Sequence, residues 1–388
     1  MQWHTDGQFS IGNYTFQAEV EVVQKFADDG GIFLDMTTNQ PIARVLGKHS
    51  PIKSEGDGSP YTLQATDIIT STLVTNNKMS IRTFHTKLIS PNLPSDSEEV
   101  TFKAYIANAY DMLVNHRQSV DISIGSIPAK ITRLDGQPIS HQIVFKSVPY
   151  SKKWEINTLV GEICWLISLA VGNLVAVACL ETESNDGIVE VDVRYPNVFL
   201  RSMFPLFDID SKSGLIKLLS ALSSFRRHNI CGFLSHLAHL LLLARNSQYP
   251  QIRTLLLANF LEVIRFHQGM NYVNSSQMKL EDDNFEWRCG LNAGKRATFR
   301  QLLKDFCDMH KITTGLDVDC CVNIRNEIMH TGKLKGSFED GYQRCLWLHE
   351  FCDRIVMALL DWDTVQGHYY RIDDPSPNGS TAKIKFER

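Results

Sequence analysis

Val322-Asn323-Ile324-Arg325-Asn326-Glu327-Ile328-Met329-His330-Thr331-Gly332 sets the reading of the C-terminal half. Ile324 and Ile328 are four residues apart and can bury one side of a helix; Asn326 and His330, also four apart, share another. Gly332 ends the run, as a glycine after a helix does. Arg325 and His330 are five apart, about 140° around an axis with 3.6 residues per turn. The Arg must therefore reach the His from the side, or meet it across a symmetric pair of chains. These residue types suit work on a phosphate. His can take or give a proton near neutral pH, the fork-shaped guanidinium suits a phosphate gaining charge, and Asn adds a neutral hydrogen bond.

Around this stretch the apolar period is helical. Helices are predicted over 213–225, 228–245 (one long apolar helix), 251–267 (closed by Gly269), 295–310, 317–330 and 337–362, with an irregular insert at 270–294. Upstream the period is two. Strands are predicted at 15–23, 31–36, 43–46, 61–66, 68–74, 79–88, 100–106, 120–124, 129–134 and 139–146, with a hairpin turn at Leu134-Asp135-Gly136-Gln137 and loops at 53–60 and 90–99. A helix over 156–171, broken by Gly172, and strands 173–182 and 187–194 complete that unit. The boundary is expected near Tyr195–Lys212, where Pro196 and Pro205 interrupt. The predicted fold class is α+β: a β-rich, sandwich- or barrel-like domain over 1–200, an all-α bundle over 208–370 and a flexible tail at 371–388.

At 388 residues the chain can bury more than one core, and 43% hydrophobic with 21% charged residues is ordinary for a globular protein. The net charge of −4 excludes overall basicity as an argument for nucleic acid, so any such footprint must be a local patch. Nine cysteines with no Cys-x-x-Cys pair read as reduced thiols of a cytoplasmic protein, not as a disulfide framework or zinc site. Met1–Asp6 lacks a basic region before an apolar run, so no signal peptide is expected. The apolar run Leu159–Leu180 contains Glu162, Gly161, Gly172 and Asn173, which favours two buried elements over a membrane span.

Arg-x4-His spacing by itself says little. A second copy, Arg344-Cys345-Leu346-Trp347-Leu348-His349, is interleaved with core-type residues and lacks the Asn. The first copy gains weight from its setting. Arg325-Asn326 with His330, the long helices before it, Gly332 and the closing helix resemble the ribonuclease motif and layout of the HEPN superfamily. Leu359-Leu360-Asp361-Trp362-Asp363, Gly367-His368-Tyr369-Tyr370 and the β-rich domain in front are similar to its ApeA-like members.

The resemblance implies a metal-independent endoribonuclease without cofactor, used in the cytoplasm for anti-phage defence or abortive infection. The 2′-hydroxyl of RNA (tRNA or another structured RNA) would be the nucleophile, His330 the general acid or base, Arg325 the stabiliser of the pentavalent phosphate, and Asn326 the group that positions the phosphate or the His. It also implies a homodimer and a phage-derived trigger bound by the N-terminal domain. Glu262, a charge within Phe260–Ile264, would be the partner of Arg325 from an earlier helix; the alternative is an exposed Glu. Lys295, Arg296, Arg300, Lys333 and Lys335 would line an RNA groove or lie on a solvated face.

Other patterns carry less. His236 and His239, following His228, read as a packed, hydrogen-bonded core pair because no Cys or carboxylate sits at matching metal-ligand spacing. Gly290–Arg296 is one residue short of a P-loop, has Arg where Ser or Thr holds magnesium, and follows no predicted strand. Two further functions compete with the enzyme: a non-catalytic HEPN module binding RNA or protein, and a carbohydrate- or peptide-binding β-domain on a helical oligomerisation bundle.

Overall fold

The structure is a computed structural model that describes residues 1–11, 14–26, 31–38, 52–54, 61–75, 78–110, 112–113, 119–124, 126–134, 138–196, 209–282, 284–312, 318–362, 369–370 and 383–384. The predicted strand 43–46, the 134–137 turn, most of loop 53–60, the boundary segment around Pro205 and nearly all of the 371–388 tail fall outside these residues. Two compact units emerge: Met1–Cys164 with Val175–Arg201 and Asp210–Lys212, and Trp165–Leu174 with Ser202–Ile209 and Ser213–Arg388. The architecture is mixed α and β, dominated in the first unit by one antiparallel sheet of twelve strands.

The first six strands are β1 (Gln2–Ile11), β2 (Tyr14–Lys25), β3 (Gly31–Thr38), β4 (Ile52–Ser54), β5 (Thr62–Thr75) and β6 (Lys78–Ile89). They pair in the order β3-β2-β1-β4-β5-β6, and β6 pairs back onto β3, from Thr83↔Ile32 to Lys78↔Thr37. The ring is thus closed, a barrel rather than a sandwich. Alternation fills it: Phe9, Val20, Val22, Ile32, Leu34, Met36, Leu63, Met79 and Ile81 point into one buried cluster. Strand β1 has no counterpart among the predicted strands. Its inward residues include Thr5, whose hydroxyl donates to the Tyr61 carbonyl, so the apolar half of its pattern is weak.

On β6 the inward alternation slips by one residue, from Met79, Ile81 and Thr83 to Thr86 and Leu88. There β6 exchanges β3 for β12 (Gly187–Arg194) as its neighbour, and β5 carries a register shift at Ile68/Thr70. That shift explains why one strand reads as two, 61–66 and 68–74. Beyond β12 the sheet continues through β11 (Ala176–Ser184), β7 (Glu99–Ala107), β10 (Ile139–Pro149), β9 (Ile127–Arg133) and β8 (Val120–Ile124).

Strands β11 and β12 are buried on both faces, so their charges need partners. Asp192 takes hydrogen bonds from His85 (2.7 Å) and Arg194 (2.8 Å). Burial pushes its carboxyl up, and those partners outweigh burial and hold it well below the usual range. Arg194 also reaches Asn157 (2.9 Å), and Glu190 binds Lys153; both partners lie on helix α1 (Lys153–Val171). Residues 150–171 are long and apolar enough to cross a membrane, and most of that stretch is buried in the protein. Gly172 (φ 73°) ends the helix, and the strand starts at Ala176, three residues later than predicted.

The second unit holds α2 (Lys212–Ser220), α3 (Leu222–His228), α4 (Phe233–Asn246), α5 (Pro250–Asn274), α6 (Phe299–Met309), α7 (Val318–Thr331) and α8 (Phe338–Leu359). The helices predicted over 213–225 and 228–245 are each interrupted. Ala221 separates α2 from α3, and Cys231 (φ 52°) with Gly232 (φ 77°) turns the chain between α3 and α4. Gly269 does not close a helix; it lies inside α5, where the ring of Phe285 occupies the place of a Cβ, 2.4 Å away. Phe285 belongs to β14 (Asn284–Trp287), which pairs with β13 (Met278–Glu281) in a hairpin. The predicted insert is therefore a hairpin with its own small core of Met278, Phe285, Ala297 and Leu302, and the unit is not all-α. Ser337 and Asp340 cap α8 reciprocally.

Two consequences are measurable. Gly269→Ala should destabilise the protein by about 1–3 kcal/mol in urea unfolding, because overpacking against Phe285 exceeds the gain in helix propensity. His141 is fully buried, and burial followed by the Arg133 charge lowers its pKa to about 3. A folded-state pKa below the unfolded value of about 6.5 gives a contribution that is complete above pH ~6.5 and lost as pH falls toward 3. The melting temperature should drop across that window, and less steeply in His141→Leu.

Candidate functional site

Helix α7 buries Cys321, Val322, Ile324 and Ile328 and leaves Asn323, Met329 and His330 exposed. Gly332 follows with φ 66°, and its N–H donates to the Ile328 carbonyl (2.9 Å). This α7 geometry holds Arg325 at the edge of the bundle, its side chain 17% exposed.

Three groups surround the Arg325 guanidinium. Its Nη2 meets the Glu262 carboxylate on α5. Its Nη1 donates to Asn326 Oδ1 at 2.7 Å. Its central carbon lies over the ring of Phe299, the first residue of α6, 4.7 Å from the ring centroid. Burial lowers its pKa, yet a guanidinium stays protonated at any physiological pH. Glu262 also accepts from Arg265 Nε (2.8 Å), so one carboxylate serves two arginines.

The Arg325–Asn326 bond decides what Asn326 can offer. Arg only donates, so the amide oxygen faces Arg325 and the NH2 is the group left for a ligand. Asn326 can therefore donate to a phosphate oxygen, while its oxygen is not turned to orient His330. His330 is exposed and, among the described residues, makes no side-chain hydrogen bond or ion pair, with Arg325 or any other group.

Of the predicted cations, Lys295, Arg296 and Arg300 precede or begin α6, next to Phe299. Lys333 and Lys335 lie in the turn after His330. All five are exposed. Arg300 is paired with Asp319 (2.8 Å), and among the described residues Lys295 and Arg296 form no ion pair. Phe299 and Arg265 have no part in the sequence reading. Arg265 was detectable as the i+3 partner of Glu262; Phe299 comes from another helix and leaves no spacing signal.

The second Arg-x4-His has a different fate. Arg344 grips Glu327 of α7 with two hydrogen bonds of 3.0 Å, and Glu327 also accepts the Lys335 N–H. His349 is buried beside Asp353, which pairs with Arg245 (3.0 Å) between α4 and α8. Burial, then the charges of Arg245 and Arg253, push the His349 imidazole well below its usual pKa. His236 and His239 are exposed on α4, not packed in the core, because that helix buries the face of Phe233, Leu237, Leu241 and Ala244. Among the described residues no group of three His, Cys, Asp or Glu is placed to hold a metal ion. Gly290–Arg296 does follow a strand, the hairpin strand β14, but retains neither P-loop length nor its hydroxyl residue.

Comparison of the chain with protein-family models, curated proteins and solved structures finds no match.

The two motifs should separate in stability. Arg344→Ala leaves Glu327 with no counter-charge and only the Lys335 N–H as a partner, and should cost about 1–3 kcal/mol, whereas His330→Ala, on an exposed position, should stay within about 0.5 kcal/mol. Urea denaturation of the two variants measures the difference.

Proposed function

We propose that the chain is a metal-independent endoribonuclease of the HEPN type, ApeA-like in layout, that acts in the cytoplasm in anti-phage defence. The observation that carries this reading is the state of Arg325. A guanidinium is held half-buried by a carboxylate, an amide and an aromatic ring, one residue before an Asn and five before an exposed His. Such preorganisation suits stabilisation of charge that develops on a phosphate. The second Arg-x4-His is spent on helix packing and offers no such site.

In this reading the 2′-hydroxyl attacks the adjacent phosphorus and the 5′-oxygen leaves. His330 takes the proton from the former or gives one to the latter. Arg325 donates to the non-bridging oxygens through terminal N–H groups not engaged by Glu262 and Asn326, and the Asn326 NH2 donates beside it. Glu262 positions Arg325. Because no hydrogen bond joins His330 to Arg325 within one chain, a homodimer in which each motif faces its copy fits the chemistry. The barrel unit would receive the trigger, a phage-derived component.

A second reading, a HEPN module that binds RNA without cutting it, draws on one observation: His330 has no partner among the described residues to set its tautomer.

Incubation of RNA with the purified chain, with end-group analysis, tests both. The enzyme yields 2′,3′-cyclic phosphate ends, His330→Ala lowers the rate by about 10²–10⁴-fold, and Arg325→Gln lowers it by about 10²–10³-fold. Intact RNA under every trigger tried, with toxicity in cells unchanged by His330→Ala, would reject the enzyme.

A further inference from the structure

We propose that Phe299 provides the surface on which an unpaired base beside the reacting phosphate stacks. The inference rests on the ribonuclease reading for the phosphate's location, and on the geometry of the α6 entrance for the rest.

The segment before α6 is held in place from two sides. The Trp287 N–H donates to the Lys295 carbonyl (3.0 Å) and the Ala297 N–H to the Phe285 carbonyl (2.7 Å), so the segment runs as a third strand along the hairpin. A bridge joins Glu286 and Arg296. At the other end Thr298 caps α6, its side chain accepting from the Gln301 N–H (3.2 Å). Phe299 thus stands on a braced corner, and its ring is partly exposed.

The central carbon of the Arg325 guanidinium lies over the ring, which sets a fixed positive charge against an aromatic surface. Planar arginine and aromatic faces are what unpaired bases stack on, and a base locked in a duplex cannot reach such a surface. Two cations without ion pairs among the described residues, Lys295 and Arg296, lie three and four residues before Phe299 on the same braced segment. They can follow the phosphates of a strand whose base rests on the ring. Aromatic surface, guanidinium and flanking cations together match single-strand binding, and the net charge of −4 places the attraction in this local patch.

The test uses the full chain with His330→Ala, which slows turnover, and a short fluorescein-labelled single-stranded RNA beside its duplex, read by fluorescence anisotropy. Phe299→Leu should weaken single-strand binding by about tenfold or more, Phe299→Trp should retain it, and the duplex should bind more weakly than the strand. Lys295→Gln with Arg296→Gln should reduce the slope of log affinity against log salt by about 1.4. Melting temperatures of the variants check folding. Equal binding of Phe299→Leu and its parent, equal loss in the Leu and Trp variants with unchanged melting, or a duplex bound as tightly as the strand would each overturn the inference. The two readings fail separately. If these binding signatures appear and the unsubstituted chain never cuts RNA, the stacking site stands and the ribonuclease falls. If RNA is cut and Phe299→Leu leaves KM unchanged, the reverse holds.

Discussion

A guanidinium withdrawn from water must be matched, and much of the helical unit's arrangement around α7 answers to that requirement. Arg325 is mostly covered, and a charge so placed is costly unless a counter-charge and hydrogen bonds accompany it. The counter-charge comes from Glu262 on α5, whose neighbours Phe260, Leu261 and Ile264 are fully buried and fix the helix. The covering ring comes from Phe299, at the start of a helix whose entry is braced by the hairpin. Three elements distant in sequence are therefore needed to hold one side chain.

The two Arg-x4-His sequences show how little a spacing specifies. On α7 the His points outward and the Arg is caught between helices. On α8 the Arg reaches back to α7 and the His sinks against the buried Arg245–Asp353 pair. Burial pushes the Asp353 carboxyl up to about 6 and the His349 imidazole down, so both groups shift toward their neutral forms, as burial demands. One motif serves packing, and the other leaves its His available.

Much of the fold was legible because burial on one face imposes a period. Alternation marked β2, β3, β6 and β8 to within a few residues, and the helical period marked α5, α7 and α8. The failures have physical causes. Strand β1 turns a threonine inward; β4 has only three residues; Gly269 reads as a stop signal yet is required by Phe285; and the left-handed turn at Cys231 uses a residue type with no preference for it. That Glu262 needs a partner was readable, since it is a carboxylate within an apolar helix; that the partner is Arg325 came only from the family resemblance. Phe299 was not, since a contact between a helix start and the flank of another helix has no sequence period.

The closure of β3 onto β6 has a topological result. An open sheet of twelve strands has two terminal strands. Here one end is turned into a ring, and among the described strands of this sheet β8, Val120–Ile124, alone has a single partner. A terminal strand is a template on which another polypeptide can add. This one is five residues long and places Asp121 and Ser123 on its outward face between the buried Val120, Ile122 and Ile124. Brevity and an outward charge both discourage intermolecular pairing at this margin of the sheet.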